Sequence, residues 1–178
     1  MPDLKTLVVY YSRTGNTRRV AHAITEAMPC ELEEIADSRD RGGLLAYLRS
    51  GFEAWFAKPV ALRPSRFDPA DFDLVIVGTP IWNSSVSSPV RSYLARHRGR
   101  IREVAFFITC GGSGIGRVTR QLQELTGRPP RAVLTLRERD LGEIRPRVEA
   151  FAAELRRIAP KPAGEPQLLG RPLPAGQP

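Results

Sequence analysis

The chain of 178 residues is 42% apolar and 26% charged, with a formal charge of +8, a globular mixture of a length that suits one domain with a sizeable core. Its longest apolar runs, LVVYY, LVIVG and VAFFITC, are strand-length and fall far short of the roughly 18 residues a transmembrane helix needs, and the first residues lack the basic-then-apolar pattern of a secretory signal. The expectation is a cytoplasmic protein without membrane insertion, whose two cysteines, Cys30 and Cys110, are reduced and show no metal-type spacing.

In chain order, apolar runs rich in Val, Ile, Leu and Phe predict strands over 4–11, 30–35, 72–78, 103–110 and 131–136. Between them, Val20, Ile24 and Ala27 mark one face of a helix over 16–28, and Leu45, Leu48, Phe52 and Trp55 mark one over 44–56. Further helices fit 88–97, 115–126 and 143–158. Strands alternating with helices require crossover connections. The expected fold is therefore an α/β, doubly wound, five-stranded parallel sheet with helices on both faces, which also explains why the strands are apolar nearly throughout. The segment over 39–58 holds more aromatics (Tyr47, Phe52, Trp55, Phe56) than a covering helix needs, so part of it is free to reach past the sheet. From Pro160 the composition turns to Pro and Gly without apolar periodicity. That divides the chain into one domain over 1–159 and a tail over 160–178.

The positive charge rests on 24 arginines and 3 lysines. It is densest in RSYLARHRGRIR, where Arg91, Arg96, Arg98, Arg100 and Arg102 surround His97. No aromatic follows Tyr93 in that cluster to stack a base, and a nucleic-acid partner is not expected. His97, like His22, is expected to be solvated.

Ligands of an open parallel sheet bind beyond the carboxyl ends of its strands, where the strand order reverses. In the order 2-1-3-4-5, the first, third and fourth strands are neighbours, so SRTGNT, TPIWNSSVSSP and CGGSGIG meet at one rim. The first loop has the parts of a phosphate cradle: amides at a helix start, Gly15 for close approach, hydroxyls from Ser12, Thr14 and Thr17, and the Asn16 amide. The same residues also suit an ordinary helix cap. It has neither a Gly-Lys-Ser/Thr ending nor a GxGxxG pattern. Cys110 followed by Arg117 suggests a cysteine-dependent phosphatase, but six residues separate them and position 116 is glycine, one residue too many for that motif.

YYSRTGNTRRVAHAI resembles the phosphate-binding signature of the flavodoxin family, and VGTPIWNSSVSSPV and TCGGSGIG resemble that family's second and third flavin loops; the resemblance covers about residues 4–158. It implies a flavodoxin-like fold that binds flavin mononucleotide (FMN) non-covalently. Ser12, Arg13, Thr14, Gly15, Asn16 and Thr17 would surround the phosphate. Thr79, Pro80, Ile81, Trp82 and Asn83 would follow the ribityl chain and ring, with Trp82 stacking, while Cys110, Gly111, Gly112, Ser113 and Gly114 would meet the pyrimidine edge. Trp82 also suits a plain core or surface indole, and the glycines an ordinary strand-to-helix turn. The third loop departs from many flavodoxins in having no aromatic residue, which would leave one ring face open to a hydride donor or a quinone. The implied function is electron transfer, with an NAD(P)H-dependent quinone reductase and a flavin-free interaction domain as alternatives. The implied partners are a redox protein or a small electron donor or acceptor. No side chain is expected to act as a catalytic acid or base, and no metal is expected.

Overall fold

The structure, a computed structural model, describes residues 4–36 and 60–157. The helix expected over 44–56, the aromatic segment over 39–58 and the tail over 160–178 lie outside the described residues.

The elements run β1 (Thr6–Tyr10), α1 (Asn16–Ala27), β2 (Glu31–Glu34), a 3-10 turn (Pro69–Asp71), β3 (Leu74–Trp82), β4 (Ser85–Val86), α2 (Ser88–Arg96), β5 (Glu103–Cys110), α3 (Ile115–Thr126), β6 (Val133–Arg137), a 3-10 segment (Glu138–Glu143) and α4 (Ile144–Arg157). Their ends follow local chemistry. α2 has a proline in its first turn, where a missing N–H costs nothing. α3 stops at Gly127, whose left-handed φ of 68° closes the helix with an N–H to the Gln123 carbonyl.

The sheet order is β2-β1-β3-β5-β6, all parallel. This is the expected doubly wound order, with β4 added as a short antiparallel partner of β3. Alternate residues of each strand serve the two faces. Leu7 and Val9 with Val75, Val77, Phe106 and Ile108 pack under Val90 and Leu94 of α2 and Val118 and Leu122 of α3. Val8, Ile76 and Phe107 pack under Val20 and Ile24 of α1 and Val148 and Phe151 of α4. Gly78 stands opposite Phe107 in the β3–β5 register. A Cβ on Gly78 would lie 2.0 Å from the Phe107 ring, so the ring occupies the room the missing side chain leaves.

Two expectations are corrected. β3 does not end at residue 78: it runs through Thr79, Pro80 and Ile81 to Trp82. Proline is tolerated there because the Gly78 carbonyl, accepting from Tyr11 N–H at 3.2 Å, turns toward β1, and Pro80 faces the same side two residues on, past the last β1 residue paired with β3, Tyr10. His97 is not solvated. It is 7% exposed, its ring lies 4.5 Å from that of Tyr93, and burial lowers its pKa, with Asp68 opposing and Arg100 and Arg96 reinforcing the shift. His22 is exposed, as expected.

Candidate functional site

The chain crosses from one side of β1 to the other between β2 and β3, so the order reverses at the β1–β3 boundary. The loops after β1, β3 and β5 open on the carboxyl ends of adjacent strands there.

In the first loop Gly15 takes the N-cap position of α1 with φ 90° and, as a glycine, has no side chain to cap it. A Cβ at Gly15 would meet nothing within 4 Å, so the left-handed backbone, not crowding, selects glycine. Ser12 Oγ accepts from Arg18 N–H at 3.2 Å, drawing the loop around the helix start. Thr14 is exposed, whereas Ser12, Arg13 and Asn16 are half-buried. Thr17 is turned inward: it is 2% exposed and its hydroxyl lies 2.9 Å from that of Thr109 at the end of β5. Of the neighbouring arginines, Arg18 is committed to Glu34, with contacts of 2.8, 3.0 and 3.2 Å, and Tyr10 donates to the same carboxylate at 3.3 Å. Burial and then the Glu34 charge raise the Tyr10 pKa.

The second stretch is a hairpin. Trp82 pairs with Ser85, and the turn residues Asn83 and Ser84 both have positive φ, 47° and 55°. That is the primed-turn geometry that matches strand twist. Trp82 is half-buried. Its ring meets Tyr11 edge-on at 5.8 Å, and the Arg13 guanidinium carbon stands 5.1 Å from its centroid. The first loop and the hairpin therefore share one aromatic and cationic cluster. Thr79, with no exposure, faces inward: its hydroxyl lies 3.0 Å from that of Ser87 and donates to the Pro80 carbonyl at 3.0 Å. Pro80 is buried, Ile81 half-buried and Asn83 exposed.

In the third loop Gly111, Gly112 and Ser113 are exposed, and Cys110 above them is buried. Gly114 has φ 90°, and a Cβ on it would lie 3.0 Å from Ser84 Cα, so this loop touches the hairpin tip. Burial raises the Cys110 pKa, against the lowering effect of Arg137 and the Gly112 amide. A raised thiol pKa disfavours the nucleophilic thiolate, in line with the motif spacing that sets the phosphatase reading aside. The half-buried Cys30 thiol is pushed up to about 11 by burial and then by Glu31. No group of three or more potential metal ligands occurs among the described residues, and no helix among them is long and apolar enough to cross a membrane.

These features fit a phosphorylated flavin. A helix start led by a left-handed glycine, with the Arg18 N–H taken by Ser12 Oγ, offers its remaining amides and a positive dipole end to an anion, and a half-exposed indole offers a flat ring face. Sequence reasoning missed Tyr11, Thr109 and Gln121, the last of which accepts from Val86 N–H at 3.1 Å. The aromatic Tyr11 next to the loop was the only local signal for any of them.

Residues 5–135 match the model of the NADPH-dependent FMN reductase family. Among curated proteins none matches. Among solved structures, the chain is similar to a candidate flavoprotein from Bacteroides eggerthii (23% identity, 84% of this chain and 99% of that one, TM-score 0.67). It is also similar to a flavoprotein in complex with FMN from Lactobacillus acidophilus (23% identity, 79% and 97%, TM-score 0.56) and to oxidised flavodoxin 1 from Bacillus cereus (16% identity, 86% and 98%, TM-score 0.53). At these identities the structures speak for the fold. The family match spans all three rim loops, and on it the chain belongs to the NADPH-dependent FMN reductase family, as a flavodoxin-like redox protein with FMN as its cofactor.

Proposed function

We propose that the protein accepts electrons from NAD(P)H through FMN held at the rim of β1, β3 and β5, and passes them to a small acceptor such as a quinone. The FMN phosphate is held by the amides at the start of α1 with Ser12, Arg13, Thr14, Gly15 and Asn16; Thr17 contributes its backbone while its side chain faces the core. The ring lies against Ile81, Trp82 and Asn83, and Cys110, Gly111, Gly112, Ser113 and Gly114 present backbone groups to its pyrimidine edge. Bound there, FMN supplies the redox chemistry. The chain's own part is to anchor the phosphate and orient the ring with the hairpin, beside a third loop whose exposed residues carry no bulky side chain.

The observation that carries the donor and acceptor is the third loop. Its exposed residues, Gly111, Gly112 and Ser113, place nothing larger than a serine side chain over the ring. A planar nicotinamide or quinone fits beside a loop of such small residues, and the family match supports a nicotinamide as donor. With FMN as cofactor, the flavin-free interaction domain falls away. The protein reconstituted with FMN is expected to lose its flavin absorption on anaerobic addition of NADPH or NADH and to regain it with a quinone. Flavin that stays oxidised with both nicotinamides, yet is reduced by an electron-carrier protein, would overturn this reading in favour of one-electron transfer between proteins.

A further inference from the structure

We propose that Gln121 is a positioning residue for the indole of Trp82. β4 is only two residues long, too short to fix the hairpin by its own ladder. Beyond the Thr79–Ser87 contact that follows β4, two contacts from the β5–α3 unit hold it. At the base, Gln121 Oε1 accepts from Val86 N–H at 3.1 Å, and Val86 is paired directly with Ile81, the neighbour of Trp82. At the tip, Gly114 lies so close to Ser84 that a Cβ would come within 3.0 Å of its Cα. Val86 has no exposure, so its amide has no water to fall back on if Gln121 is removed.

The two contacts tie the second and third loops into one unit and set where Trp82 stands relative to Arg13 and Tyr11. An isolated two-residue hairpin would leave the indole free to swing. Held by α3, it presents a fixed face, which lowers the ordering cost of seating a flat ligand. Gln121 touches no ligand in this account. It acts through Val86 and the hairpin, and its role rests on the reading that the FMN ring lies against Trp82.

The test compares Gln121→Met, which keeps length but removes the acceptor, with Gln121→Glu, which keeps an acceptor oxygen. Val86 amide exchange is followed in the flavin-free protein; FMN affinity and flavin fluorescence quenching are followed in the loaded protein. Gln121→Met is expected to speed Val86 exchange, to weaken FMN about three- to tenfold, as the loss of one hydrogen bond would, and to relieve part of the quenching. Gln121→Glu is expected to restore most of each. Faster exchange with unchanged affinity and quenching would overturn the positioning role, and unchanged exchange would overturn the contact itself. Failure of the ring placement registers separately: if Trp82→Ala leaves quenching and affinity unchanged, the ring contact falls and this role with it.

Discussion

The hydroxyls of Thr17 and Thr109 meet 2.9 Å apart in the core, joining the first turn of α1 to the end of β5 across 92 residues of sequence. The pair fixes the first loop against the strand that carries the third, so the floor of the rim is tied by one buried contact. Replacing either residue alone by valine leaves the other hydroxyl buried without this partner, at a cost of about 1–3 kcal/mol, whereas replacing both removes the polar pair together and is nearly neutral. Urea unfolding of Thr17→Val, Thr109→Val and the double variant is expected to show this non-additivity. Additive losses would mean that the two hydroxyls do not depend on each other.

Thr14 is the exposed hydroxyl of the first loop, free to donate to a phosphate without loss of packing. Thr14→Ala is expected to weaken FMN by about 1.5–3 kcal/mol, as for a hydrogen bond to a charged group, and to leave riboflavin binding unchanged. Titration of both flavins against parent and variant measures the difference. Equal affinity of the parent for FMN and riboflavin would dismiss the phosphate cradle.

Trp82 is held between Tyr11, edge-on at 5.8 Å, and Arg13, 5.1 Å from the ring centroid. Stacking against it is expected to quench flavin fluorescence. Trp82→Ala should recover part of that emission and weaken FMN by about 1 kcal/mol beyond the burial lost. Trp82→Phe, which keeps an aromatic face, should fall between alanine and the parent in affinity.

Gly78 makes room for the Phe107 ring, which a Cβ would approach to 2.0 Å. Both lie in central strands, where relaxation is limited. Gly78→Ala is expected to destabilise the protein by about 1–3 kcal/mol through overpacking, and pairing it with Phe107→Leu should recover part of the loss. Chemical denaturation of the three variants measures both effects.

His97 gives stability a dependence on pH. Its folded pKa lies below the ordinary value of 6.5, so on acidification the unfolded chain takes up a proton first. Its contribution is thus fully present above about pH 6.5 and is lost as pH falls through the folded pKa. Asp68, Arg96 and Arg100 act on the same ring and set how far the window extends. His97→Gln is expected to flatten stability against pH below 6.5, read from thermal unfolding across that range.

Much of this protein is legible in its sequence because the signals involved are local and repeated. The alternation of apolar runs with helical-period segments determines a parallel, doubly wound sheet, since strands so joined need covered crossovers on both faces. SRTGNT carries its own meaning through Gly15 and its hydroxyls, and β5 falls over 103–110 as its unbroken apolar run predicts.

What only the tertiary structure decided depends on partners distant in sequence. TPIW reads as the start of the loop after the third strand, which is expected over 72–78. It is strand because β5 pairs alongside, Thr79 against Ile108 and Pro80 against Thr109, after β1 has ended. His97 reads as one polar residue among arginines, but the side of the helix terminus on which it sits faces Tyr93 and Ser65. Thr17 looks like a ligand hydroxyl until Thr109 is brought against it, and Gln121 carries no signal at all until the fold places its side chain beside Val86. Sequence patterns report which face of an element is apolar; which polar group meets which across the fold is set only when the elements pack.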